Sequence, residues 1–320
     1  MSNELVKPTA AQVRWQEAEF GMFVHFGINT FVNREWSDGS KSPKKFNPKD
    51  LNTDQWVQVA KNAGVKYMIL TCKHHDGFCL WQTETTDYSV KSSPYKQGKG
   101  DVVAEFVASC RKYGMNFGFY LSPWDRHEPC YSDKEAYDKF YARQLTELLT
   151  KYANHDELFE MWFDGAGSAG RSYDWETIIG ICKKHHPNAM IFNMGEPTIR
   201  WCGNERGFAE YPNWNVVPKN KHLDFAFSKQ TIDGEGDMWL PQECDVPLHN
   251  RHWFHHKRFW GILYNRLLFS VEQLLEIYEK SIGFGANLLL NLAPTDFGVF
   301  SDRDVRRLNE FVAKIAMMYG

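Results

Sequence analysis

"DVVAEFVASCRKYGMNFGFYLS", residues 101–122, sets Val102, Phe106, Val107 and Cys110 along one face, stops at Gly114, and continues as a short apolar run ending in Ser122. That spacing fits one stripe of an amphipathic helix, and a glycine just past the last periodic residue is a helix stop. The run after it then reads as a buried strand. "TDQWVQVAKNAGVKYMILTC" (53–72) repeats the device, with Trp56, Val59, Ala60 and Ala63 on the face and Gly64 as the stop. Helices alternating with apolar strands predict a parallel sheet with helical crossovers.

Further apolar runs predict strands at 21–27, 158–165, 189–194, 214–217, 238–246 and 287–294, giving about eight, the number in the common α/β barrel. Helical periodicity fills the stretches 135–153 and 174–186, and Ser270 and Gln273 stand at capping-box spacing. The fold class expected is therefore a (β/α)8-like TIM barrel occupying residues 1–320 as one domain. The competing architecture, an open doubly wound sheet, lacks a GxGxxG loop after the first strand.

A net charge of −3 with scattered Lys and Arg offers no basic field, so nucleic acid is not an expected partner. The start, "MSNELVKPTA", lacks the pattern of a secretory signal, no apolar run reaches membrane-spanning length, and the seven cysteines form no CxxC pair. These features predict a cytoplasmic protein without a membrane partner; oligomeric state is not legible. The 12 Trp and 14 Tyr cluster near His, Asn, Asp and Glu, a mixture suited to stacking on sugar rings.

The predicted strands end in His25, Cys72 to His75, Ser122, Asp164, Asn193, Glu243 and Asn291. Polar groups at strand carboxyl ends line the functional face of a barrel. Carboxylates at Glu35, Asp76, Asp164, Glu205, Glu243 and Asp245 accompany Trp36, Trp124, Trp201 and Trp253. Glycoside cleavage needs two such carboxyl groups, one as nucleophile and one kept protonated as acid. A metal-dependent hydrolase is the rival chemistry. However, adjacent His74 and His75 on extended backbone point to opposite sides, and neither HxH nor HExxH occurs, so neither a catalytic metal nor a cofactor is expected.

"GMFVHFG" (21–27), "KYMILTCKHHDGFCLW" (66–81), "GFYLSPWD" (118–125), "MWFDGAG" (161–167) and "NLLLNLAP" (287–294) resemble, in this order, the α-L-fucosidases of glycoside hydrolase family 29. The resemblance implies a retaining exo-α-L-fucosidase with Asp164 as nucleophile and a fucosylated oligosaccharide or glycoconjugate as substrate. "IRWCGNERG" (199–207) and "WLPQECDVPLHNRHWFHH" (239–256) are similar to segments of the subgroup acting on α-1,3 and α-1,4 branches. This implies Glu205 as acid/base, Arg200 as a substrate contact, and Glu243 and Asp245 as residues shaping the pocket. It likewise assigns His25, His74, His75, Glu35, Trp36 and Trp124 to fucose binding, with Trp253 near the fucose methyl. The family usually carries a β-sandwich after the barrel, and no such segment is expected within these residues. A catalytically inactive fucose-binding barrel is the alternative from another class.

Overall fold

The computed structural model describes residues 5–218, 236–257 and 267–320. Eight strands form one sheet: β1 Phe20–Val24, β2 Tyr67–Lys73, β3 Asn116–Leu121, β4 Glu160–Trp162, β5 Met190–Phe192, β6 Arg200–Trp201, β7 Gln242–Pro247 and β8 Asn287–Asn291. Their order is β5-β4-β3-β2-β1-β8-β7-β6, and every pairing is parallel. A parallel bridge between Phe192 and Ile199 joins the two outer strands. The result is a nearly closed, TIM-like α/β barrel.

Helix ends follow directly from side-chain chemistry. Among the described residues the longer helices are α1 Ala10–Ala18, α2 Thr53–Asn62, α3 Val102–Tyr113, α4 Lys134–Lys151, α5 Trp175–His185, α6 Val271–Ser281 and α7 Asp302–Tyr319. Asn52, Asp101, Asp133, Asp174, Ser270 and Ser301 each accept from the amide three residues on, satisfying a helix-start N–H worth about 1 kcal/mol per cap. Gly114 closes α3 in the left-handed region, φ 64°, where a Cβ is disfavoured.

Alternation along the strands makes two cores. Met22, Val24, Met68 and Leu70 pack outward against the helices. Phe23, Tyr67, Ile69, Tyr120, Trp162, Phe192 and Leu289 fill the barrel, and Trp15 of α1 belongs to this inner cluster. Room for the Tyr67 ring exists because Gly21 has no side chain: a Cβ there would meet the ring at 2.4 Å.

Three sequence expectations change. Residues 214–217 and 238–246 do not give two barrel strands. Val216–Val217 and Met238–Trp239 pair antiparallel as a separate ribbon, and Pro241, which cannot donate to a ladder, separates that ribbon from β7. The strand β6, only two residues long, was not foreseen, because it is too short for any periodicity. The connection from β5 to β6 contains no helix, and turns through Asn193 (φ 64°) and Gly195 (φ 73°).

Candidate active site

At the carboxyl end of the barrel, residues of β1, β3, β4, β5, β6 and β7 and of the segments that follow the strands enclose a cavity of about 190 Å³. Its walls include His25, Trp36, His74, His75, Tyr120, Trp162, Asp164, Asn193, Trp201, Glu205, Asp245 and Trp253. Aromatic faces with a few convergent polar groups suit a small polar ring with apolar patches.

Asp164 follows β4 by two residues, and its side chain is 23% exposed. Oδ2 accepts from the Tyr120 hydroxyl at 3.0 Å, and Oδ1 accepts from the Ala166 amide at 2.7 Å. Burial drives the Tyr120 phenol well above its ordinary pKa, and the Asp164 charge adds to this, so the phenol remains a donor. The carboxylate is thus fixed in orientation.

Two histidines have their tautomers set by neighbours that can act in only one sense. Ser122 Oγ donates to the Trp124 carbonyl at 2.7 Å, so at 2.7 Å from His75 Nδ1 it must accept. His75 therefore carries its hydrogen on Nδ1, and Nε2 faces Asp164 Oδ2 at 3.5 Å. Asn291 donates through Nδ2 to the Trp253 carbonyl, and its Oδ1 accepts from the His25 amide and from His25 Nδ1 at 2.9 Å. Burial lowers the pKa of His25 to about 3 and that of His75 in the same direction, so both rings are neutral near pH 7. Each leaves Nε2 as an acceptor for a hydroxyl group.

His74 and His75 do not diverge as extended backbone would require. The β2–β3 register shifts between Thr71 and Lys73, and the Gly77 amide turns back to the His74 carbonyl, which brings both rings to the cavity, 4.1 Å apart. His74 stacks parallel to Tyr120 at 5.7 Å. Trp36 sits at the mouth, 52% exposed, with its edge against His75. Trp124 is not itself a wall. It backs both Trp36 and His75, at 5.5 and 5.1 Å.

Glu205 occupies the loop after β6, at the exposed rim of the same cavity. Desolvation on its pocket side raises its carboxyl pKa, and the Asp164 and Glu35 charges act in the same sense, against a hydrogen bond from Trp253. A carboxyl held toward its neutral form opposite a fixed carboxylate is the pairing that acid-assisted displacement requires. Trp201 donates from Nε1 to Asp245 at 2.6 Å, which fixes one aromatic wall.

Besides Trp124, three residues expected at the substrate are placed elsewhere. Arg200 is buried, and its guanidinium donates to the carbonyls of Leu240 and Trp214 at 3.0 and 2.6 Å, tying β6 to the ribbon. Glu243 is fully buried below the cavity, accepting from Tyr67 at 2.6 Å and from Trp162 Nε1 at 2.8 Å, with buried Glu160 beside it. Burial raises both carboxyls. Glu160, opposed by the Glu243 charge, is the one raised well above the ordinary range. Glu35 turns its Oε2 to the Trp253 amide at 2.8 Å, so it anchors a wall segment rather than forming part of the wall. Conversely Tyr120, Trp162 and Phe192 line the cavity without having been singled out for it, whereas Asn193 and Trp201, read as a strand end and as one of the accompanying indoles, are both walls. Inward phase along β3 and β4, two residues apart from Gly118 and Glu160, is the signal that would have found Tyr120 and Trp162.

Comparison with known proteins places this site in a family context. A family model described as Alpha-L-fucosidase matches residues 33–315. Alpha-L-fucosidase 1 of Arabidopsis thaliana is 42% identical over 311 residues, covering 95% of this chain and 59% of the plant protein. A glycoside hydrolase 29 family member from an unknown rumen bacterium superposes with TM-score 0.89 at 36% identity, covering 97% of this chain and 57% of its own. A Ruminococcus gnavus GH29 fucosidase, solved in complex with fucose, superposes with TM-score 0.83 at 33% identity, covering 98% of this chain and 68% of its own. The chain thus spans somewhat over half the length of the plant relative.

Proposed function

This chain belongs to the α-L-fucosidase family, glycoside hydrolase family 29, and from that premise we propose that it hydrolyses terminal α-L-fucosyl residues with retention of configuration. The observation that carries the proposal is the Asp164 carboxylate, held by Tyr120 and Ala166 in the same cavity that Glu205 lines. In this reading Asp164 attacks the anomeric carbon while Glu205 gives its proton to the departing glycosidic oxygen. The C–O bond breaks as the fucosyl ester to Asp164 forms. Water then attacks the anomeric carbon of this ester as Glu205 takes its proton, and the bond from that carbon to Asp164 breaks to release the carboxylate.

His25 and His75 accept from fucose hydroxyls through Nε2, and Trp36 and Trp253 cover the ring. Asn291 acts through His25 and Ser122 through His75, each by holding one tautomer. The finer reading, a preference for α-1,3 and α-1,4 branches, is supported by the "RWCGNERG" and "QECDV" segments. A sugar next to fucose would then supply binding energy realised in the transition state.

Proton NMR of an aryl α-L-fucoside during early hydrolysis tests the mechanism, with α-fucose expected first. Initial release of β-fucose would remove Asp164 from the nucleophile role. Comparing kcat/KM on a Lewis-type trisaccharide and on 2'-fucosyllactose tests the linkage preference, and equal or faster cleavage of the latter would remove it.

A further inference from the structure

Two carboxyl groups meet beneath the cavity, and the displacement chemistry uses neither. Glu160 of β4 and Glu243 of β7 are fully buried inside the barrel and hydrogen-bonded to each other. A hydrogen bond between two carboxyl groups requires a proton on one of them, since an ionised carboxylate only accepts. The surrounding donors decide which one carries it. Glu243 accepts from the Tyr67 hydroxyl at Oε1, 2.6 Å away, and from Trp162 Nε1 at Oε2, 2.8 Å away, so both of its oxygens are held as acceptors. Glu160 accepts from Trp15 Nε1 at Oε2, 2.8 Å away, and no donor among the described residues reaches its buried Oε1. A proton on that oxygen turns an unpartnered acceptor into a donor and gives Glu243 a third hydrogen bond. Burial and the Glu243 charge both favour the neutral form of Glu160, in agreement with the donor count.

We propose that Glu160 holds a resident proton through which it donates to Glu243, and that this pair positions Trp162 for substrate binding. Trp162 is the link to the site. Its ring lines the cavity, stacks on Phe192 at 3.8 Å and faces Tyr120 at 5.5 Å, the phenol that holds Asp164. Its N–H is fixed by Glu243, and Glu160 supplies the donor that keeps Glu243 ionised and accepting. Loss of the resident proton would set two anions in contact in a core of low dielectric and loosen that hold. The other ionisable groups facing the pair are Tyr67 of β2, kept a neutral donor by burial, and Cys244 and Asp245 on β7 itself. The role at the sugar rests on the fucosidase reading, whereas the resident proton does not.

Infrared difference spectroscopy at pH 8, native protein minus Glu160→Gln, tests the proton. Ordinary glutamates are ionised there, so a carbonyl stretch of a neutral carboxylic acid should appear in the difference and shift on carboxyl labelling of glutamate. The folded state keeps a proton that the unfolded chain releases above pH 4.5, so the stability of the native protein relative to Glu160→Gln declines as pH rises. The Tm advantage of Glu160→Gln should therefore widen between pH 5 and pH 8. Steady-state kinetics on an aryl α-L-fucoside test the positioning. Glu160→Gln keeps a donor toward Glu243 and should preserve KM. Glu160→Leu removes that donor, and Glu243→Gln sets a donor against Trp162 or Tyr67; each should raise KM by about 10-fold, the scale of one charge-assisted hydrogen bond. A missing acid band, a Tm gap that does not change with pH, or a KM raised in Glu160→Gln but not in Glu243→Gln would overturn the assignment. Failure of the native protein to hydrolyse fucosides would instead strike the fucosidase reading and leave the infrared band in place.

Discussion

The Tyr120 hydroxyl donates to Asp164 Oδ2 at 3.0 Å, joining the inner row of β3 to the end of β4. Because Tyr120 is fully buried and Asp164 is partly open, the phenol holds the carboxylate from behind and leaves its outer face to the cavity. Tyr120→Phe removes one charge-assisted hydrogen bond, worth roughly 1.5–3 kcal/mol, and leaves the packing of the ring. Steady-state kinetics on an aryl fucoside should show kcat reduced by about 10- to 100-fold, with an unchanged Tm to within a few degrees. An unchanged kcat would mean that Ala166 alone orients Asp164.

A second outcome concerns acid. His25 is neutral and buried, with a pKa lowered to about 3 against 6.5 in the open chain. The unfolded state therefore binds a proton that the folded state refuses. The stability His25 contributes is fully present above pH 6.5 and is lost progressively as pH falls from there toward 3. Each pH unit within that window costs up to about 1.4 kcal/mol from this group. Calorimetric Tm measured between pH 7 and pH 4 should fall more steeply in the native protein than in His25→Gln. Parallel slopes would show that another group sets the acid sensitivity.

Much of this arrangement was legible in the sequence, and its limits have physical causes. The helix–glycine–strand units at 53–72 and 101–122 were readable because a half-buried helix shows a 3.6-residue stripe and glycine marks its end. Asp164, His25 and His75 were readable as polar ends of apolar runs. Tyr120 and Trp162 were not, because barrel strands are buried on both faces and the apolar run hides which phase points inward. Glu243 and Arg200 were misplaced for a different reason. Sequence gives a residue's side of a strand but not its height along the barrel, and Glu243 lies low enough to meet Tyr67 rather than the cavity. Glu35 was assigned to sugar by resemblance, whereas its partner, the Trp253 amide, lies 218 residues away and no local pattern announces it.

The last outcome separates the two glutamates that could serve as acid. Glu205 stands at the cavity rim with its carboxyl pKa raised, whereas Glu243 is enclosed by Tyr67, Trp162 and Glu160. A general acid matters most when the leaving group is poor, since a good one departs without the proton. Glu205→Ala should therefore lose on the order of 100- to 10,000-fold on an oligosaccharide and far less on an activated aryl fucoside. Azide, which needs no base to attack the anomeric carbon of the fucosyl ester, should restore turnover and give α-fucosyl azide, the retained configuration. Glu243→Ala should behave differently, because it leaves the Tyr67 hydroxyl and the Trp162 N–H buried without their acceptor. At about 1–3 kcal/mol for each orphaned group, its signature is a lowered Tm, with both substrates slowed in similar proportion and no response to azide. Leaving-group dependence and azide rescue in the Glu243 variant, and not in the Glu205 variant, would make the buried glutamate the proton donor. The rim loop would then serve binding alone.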